Sequence, residues 1–149
     1  MEERRKTIRH KARVASYVIP QRGHEILMLR RYNTGYEDGK YSFIAGHVEA
    51  NESFTEAALR EAREEAGIDL ELGDMTVGHI LHRMGPDDEV VDVFYLVHKW
   101  QGDIQNREPH KCDDLRWVNA DNLPKNTIGY IRHALEQMRQ GIPYSEYGW

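Results

Sequence analysis

Between Gly46 and Ile68 the chain reads GHVEANESFTEAALREAREEAGI, a stretch that holds the glutamates Glu49, Glu52, Glu56, Glu61, Glu64 and Glu65. Ionised carboxylates offer only acceptor oxygens, so a cluster of them can take up a proton or hold a hard, oxygen-seeking cation. On a helix, Glu61, Glu64 and Glu65 stand at i, i+3 and i+4 and share one face. Exposed like charges at that spacing cost only about 0.2–0.5 kcal/mol, and Arg60 and Arg63 stand among them, so repulsion alone does not separate a binding stripe from a solvated one. Two readings stay open: a charge-rich exposed helix, or a site where Mg²⁺ or Mn²⁺ is shared between carboxylates, water and substrate phosphate. The second reading also names a substrate class, because bare carboxylates repel a di- or triphosphate unless cations bridge the two.

These residues must be positioned by a helix, and its boundaries are legible. Ser53-Phe54-Thr55-Glu56 is a capping-box pattern, Ala57, Ala58, Leu59, Ala62 and Ala66 favour helix, and Gly67 suits a left-handed end. The predicted helix is about 54 to 66, with the alanine stripe packed inward and the carboxylates at the edge of the core. Ahead of it, the YSFIA segment reads as a short strand delivering the chain to Gly46, preceded by a loop over 31 to 41 with Asn33 and two glycines. Arg13 to Ile19 and Glu25 to Tyr32 read as a hairpin across Pro20, Arg22 and Gly23. Thr76 to Met84 and Val90 to Trp100 read as strands about a GPDDE turn, and Leu115 to Val118 as a further strand. A second helix is expected over Asn126 to Gln140, capped by Asn126 and ended by Gly141. Strands before and between two helices imply an α+β fold or αβα sandwich.

The 149 residues fit one domain, and no apolar run approaches the length of a membrane span. A lone cysteine, Cys112, excludes an internal disulfide, and the N-terminus lacks the pattern of a secretory signal, so a cytoplasmic location is expected. With 25 acidic against 20 basic residues, no stable nucleic-acid partner is expected. The basic cluster Arg4, Arg5, Lys6, Arg9, Lys11 and Arg13 reads as a solvated arm. His79 and His82 fall on opposite faces of a strand and do not form a zinc pair. Tyr17, Tyr32, Tyr36, Phe94 and Trp100 could stack on a base, but packing is the better reading of each. Arg30 and Arg31 could reach phosphate, and Cys112 has no evident catalytic partner.

The Gly46–Ile68 stretch resembles the signature of Nudix hydrolases (MutT-like), G-x5-E-x7-R-E-U-x-E-E-x-G-U with U apolar. Gly46, Glu52, Arg60, Glu61, Glu64, Glu65, Gly67 and Ile68 fill it, with Ala62 at the first apolar place, which is usually larger. Three departures stand nearby: Ile44 and Ala45 where the family often has Pro-Gly, and Asn51 where it often has Gly.

The resemblance implies a Nudix-type αβα sandwich around a mixed β-sheet, with 1–149 as a single Nudix hydrolase domain. It implies a metal-dependent hydrolase that cleaves a pyrophosphate bond in a nucleoside di- or triphosphate derivative by attack of metal-activated water. Glu61, Glu64 and Glu65 would bind Mg²⁺ (Mn²⁺ as alternative), with Glu61 also a base and the Gly46 carbonyl a further ligand. Arg60 would orient the glutamates and Glu52 support the loop. Family members often supply another acid from outside the signature, and among Glu108, Asp113 and Asp114 the choice here is Glu108. The resemblance also allows a homodimer. The alternative is a Nudix-fold nucleotide-binding or regulatory domain with little catalysis; RNA cap hydrolysis is a third reading, against which the net acidity argues.

Overall fold

In the computed structural model, which describes residues 7–149, strands β1 (Arg13–Arg22) and β2 (Glu25–Arg31) form the expected hairpin. Pro20 lies inside β1 rather than in the gap. On one flank of β1, the pairing with strand β4 (Ile44–His47) stops at Val18↔Ile44 and the pairing with β2 starts at Gln21↔Ile26, so Pro20 occupies the break. A residue without an N–H is tolerated where a ladder is interrupted.

The YSFIA strand is split. Tyr41–Ser42 (β3) pairs with β2, and β4 pairs with β1, with Phe43 at the crossing. The two partners diverge beyond their short hairpin, so one segment that borders both must change neighbour. Strands β5 (Met75–Met84), β6 (Glu89–Val97), β7 (Cys112–Asn119) and β8 (Tyr144–Tyr147) follow, and the sheet runs β3-β2-β1-β6-β5-β8, with β4 on β1 and β7 on β2. The β1–β6 pair and the pair of β5 with β8 are parallel, so the sheet is mixed.

Period-two alternation sends each strand's apolar residues to two cores. Val18, Leu27, Leu29, Val93 and Tyr95 pack under helix α1 (Phe54–Ala66), against Ala58, Ala62 and Ala66. Tyr17, Ile19, Ile26, Met28 and Phe94 pack under helix α2 (Gly129–Arg139), against Ile131, Ala134 and Leu135. The result is the αβα sandwich.

Helix α1 has the predicted bounds and both capping-box hydrogen bonds: Glu56 N–H to Ser53 Oγ at 3.0 Å, and Ser53 N–H to Glu56 Oε1 at 3.3 Å. Gly67 closes it with φ of 69°. Ser53→Ala is expected to cost about 1 kcal/mol, read as a lower urea midpoint at unchanged slope; no change would mean that the cap is redundant.

Helix α2 starts later than predicted. Thr127 N–H closes a turn on the Pro124 carbonyl at 3.1 Å, and Asn126 donates to the Gly39 carbonyl at 2.8 Å instead of capping; Ile128 holds the cap position without a side-chain bond. Strand β8 and a short 3-10 turn at Leu72–Asp74 were not legible, since both are largely exposed and carry no apolar alternation. His79 and His82 do face opposite ways: His79 is buried between the Ile142 carbonyl (2.8 Å) and Ser145 Oγ (2.7 Å), and His82 pairs with Glu89. Of the basic cluster, Arg4, Arg5 and Lys6 lie outside the described residues; Arg9, Lys11 and Arg13 are exposed, and Arg13 pairs with Asp88. Among the described residues no helix is long and apolar enough to cross a membrane.

Candidate active site

The β4–α1 unit sets the site. Strand β4 pairs with β1 and sends its Ala45 N–H to Glu65 of α1, and the capping box fixes where the helix begins. Between them the loop turns at Asn51, whose φ of 63° lies in the left-handed region. The unusual Asn where the family often has Gly therefore fits, since Asn is among the non-glycine residues that best tolerate this conformation.

Glu61 lies over β4 so closely that a Cβ built on Gly46 would overlap its carboxyl group. Glycine at 46 is thus a matter of space, not of backbone conformation. Glu65, partly buried one turn along, accepts a hydrogen bond from the Ala45 N–H at 3.0 Å. Glu64 is exposed.

Arg60 knits the group together. Its Nε and Nη2 grip both oxygens of Glu52 at 2.8 and 3.0 Å, its Nη1 reaches Glu61 at 2.6 Å and Glu64 at 3.3 Å, and Nη2 also donates to the His47 carbonyl at 3.2 Å. A planar guanidinium supplies this fan of donors where an ammonium could not. The bidentate hold pulls the Glu52 carboxyl down to about 2. Glu52 in turn accepts from the Glu49 N–H at 3.0 Å, which ties the loop.

Glu61 and Glu65 are under-compensated. Burial pushes the Glu61 carboxyl up to about 7, against the pull of Arg60, with Glu64 and Glu108 adding repulsion. Burial and the neighbouring Glu61 push Glu65 well above the ordinary carboxylate range. Crowded carboxyls that hold protons this firmly are what a set of oxygen ligands looks like without its cation charge.

Glu61, Glu64, Glu65 and Glu108 line one cavity of about 580 Å³, within the range of small-molecule sites. Glu108 reaches it from the loop before β7, with Lys111 at 3.7 Å. The two acids weighed against it point elsewhere: Asp113 pairs with Arg30 at 2.7 Å, and Asp114 with Arg116 and the Tyr41 hydroxyl. Arg31 and Lys111 bring positive charge to the cavity rim, so of the two strand-end arginines only Arg31 faces it.

Among the described residues no group of three His, Cys, Asp or Glu side chains stands ready to hold a metal ion. Glu61 and Glu64 each share one oxygen with Arg60. The donor set is nonetheless all oxygen, clustered and short of positive charge, which suits a hard divalent cation.

Of the aromatics, Phe94 and Trp100 are packing residues: Phe94 stacks on Tyr17 at 4.4 Å, and Trp100 on Trp117 at 5.9 Å. Tyr17 also lines the cavity, as do Tyr36 and Tyr130. Arg83, Tyr130, His47 and Lys111 are cavity residues that the sequence reading passed over. For Arg83 the available signal was Asp92, a lone charge inside the apolar run VVDVFYLV, which demands a buried partner.

The NUDIX domain family profile matches residues 9–138. NAD-capped RNA hydrolase NudC of Stutzerimonas stutzeri (strain A1501) is 32% identical over 107 residues, covering 72% of this chain and 36% of that protein. The chain therefore spans about a third of that relative's own length. The 8-oxo-dGTP diphosphatase of Escherichia coli (strain K12) is 29% identical over 116 residues, covering 76% of this chain and 88% of that protein. Among solved structures, the MutT NUDIX hydrolase from Burkholderia pseudomallei superposes with a TM-score of 0.78 at 29% identity, covering 86% of this chain and 98% of the other. The profile takes in strands β1 to β7, helix α1, all but the last residue of α2 and the whole carboxylate stretch, and by that match the chain belongs to the Nudix family.

Proposed function

We propose that this protein is a Mg²⁺-dependent hydrolase, with Mn²⁺ as a substitute, of a pyrophosphate bond in a nucleoside di- or triphosphate derivative. The observation that carries the reading is the convergence of Glu61, Glu64, Glu65 and Glu108 on one cavity whose rim also holds Arg31 and Lys111. The substrates in the two relatives' names, NAD-capped RNA and 8-oxo-dGTP, share a phosphoric anhydride linkage, which is in keeping with it.

Glu61, Glu64 and Glu65 would hold the cation, with the Gly46 carbonyl beside them. When bound, a divalent cation neutralises phosphate charge and makes water a nucleophile near neutral pH. Glu61 would accept the proton, with Glu108 as a second acid near it. Arg31 and Lys111 would hold the polyphosphate. Arg60 orients Glu61 while Glu52 and the His47 carbonyl orient Arg60. Arg60→Lys keeps the charge but loses the fork, and should weaken cation affinity about 10- to 100-fold; Mn²⁺ titration reads it, and unchanged affinity would remove Arg60 from this role.

The test is release of phosphate and pyrophosphate across nucleotides, NAD and nucleotide sugars, in Mg²⁺ or EDTA, for wild type, Glu64→Gln and Glu65→Gln. Cation-dependent release that collapses in both variants is expected. Folded wild type that binds a nucleotide yet releases nothing in Mg²⁺ or Mn²⁺ would overturn the reading in favour of a binding domain.

A further inference from the structure

The cavity has a second polar end, on the opposite side of the sheet from the carboxylates. Arg83 of β5 and Asp92 of β6 project towards the α2 core, at 8% and 0% exposure. Arg83 Nε donates to Asp92 Oδ2 at 2.6 Å, and the guanidinium lies over the Tyr130 ring at 3.9 Å. Asp92 Oδ1 has no hydrogen-bond partner among the described residues, so the pair is not sealed into a closed network. Arg83 lines the cavity, and among the described residues no hydrogen bond engages its two terminal nitrogens. A guanidinium held at Nε and stacked on a ring is a rigid donor pair.

We propose that Arg83 is the specificity-determining residue for the nucleobase and takes the O6/N7 edge of a 6-oxopurine. The proposal rests on the reading of the cavity as a nucleotide site. Three observations select this ligand. Asp92 compensates the charge of Arg83, so this end attracts a neutral acceptor edge more than a second phosphate, for which Arg31, a cavity cation with no salt bridge to a carboxylate among the described residues, is the better partner. A fixed pair of N–H donors matches two adjacent acceptors, O6 and N7 of guanine; adenine instead offers an amino donor at position six. Ala15, the register partner of Asp92 on β1, presents only a methyl group, and the rings of Tyr17, stacked on Phe94, and of Tyr130, 3.3 Å away between hydroxyls, line this end with aromatic surface that suits a planar ring.

The experiment is equilibrium binding of α,β-methylene GTP and α,β-methylene ATP in Mg²⁺ to wild type, Arg83→Lys, and the double variant Arg83→Met/Asp92→Asn, which leaves no buried unpaired charge. Wild type is expected to favour the guanine analogue by roughly 5- to 150-fold, and the ratio to fall to near unity in both variants. Equal affinities in wild type, preference for the adenine analogue, binding of neither, or a ratio that both variants leave intact would each overturn the proposal. Hydrolysis is measured alongside. Base discrimination that vanishes on substitution in a protein that hydrolyses nothing keeps Arg83 and removes the hydrolase reading; hydrolysis with a base ratio indifferent to Arg83 does the reverse.

Discussion

Glu61→Gln is expected to lower turnover of the best nucleotide by about 10²- to 10⁴-fold while leaving the protein folded and no less stable. The two halves of this expectation have one origin. Glu61 sits against Gly46 with Arg60 on one oxygen and Glu64, Glu65 and Glu108 near enough to repel it, and its carboxyl is pushed up to about 7 by burial. An unfolded glutamate ionises near 4.5. Without cation, the folded state thus holds this proton more tightly, and the associated stability is present below about 4.5 and lost as pH rises through about 7. The amide of Gln keeps the shape and cannot ionise, so in EDTA the melting temperature of Glu61→Gln should equal wild type in acid and exceed it at pH 8. Loss of activity accompanied by loss of stability at every pH would show a structural role instead. Near-wild-type turnover would remove Glu61 from the proton transfer.

The carboxylate stretch was readable because its structure is local. Ser53, Glu56 and Gly67 set the helix ends through bonds that span a few residues, and the spacing of Glu61, Glu64 and Glu65 converts directly into a face. Even the departure at Asn51 is local, an αL residue in a turn. What escaped depends on partners distant in the chain. Strand β8 exists because Tyr144–Tyr147 meets the edge of β5, which no alternation in YSEY announces. The split of YSFIA comes from the parting of β1 and β2. Asn126 had the right type to cap a helix, and its side chain is instead used by the loop carbonyl of Gly39. The polar far end of the cavity requires the β5–β6 pairing, which sets Arg83 beside Val90 and so diagonal to Asp92.

That pair yields the largest expected effect on stability. Arg83→Ala should destabilise the fold by about 3–5 kcal/mol, because it leaves Asp92 buried without its counter-charge. For a chain of this length that is roughly 10 °C in melting temperature. Burial already pushes the Asp92 carboxyl up, and Arg83 is the main opposing influence. With Arg83 gone, the folded state should hold a proton on Asp92 to still higher pH, so the defect should be small in acid and grow as pH rises through the new value. The hydroxyls of Tyr17 and Tyr130, both pushed up by burial, stay neutral over this range and add no charge change of their own. Adding Asp92→Asn should therefore recover most of the loss at pH 8 and little of it at pH 5. Urea midpoints of the two single variants and the double, taken at both pH values, separate the causes. A defect constant with pH and untouched by Asp92→Asn would assign the stabilisation to the stacking of Arg83 on Tyr130, and the guanidinium would then be a packing element rather than half of a buried ion pair.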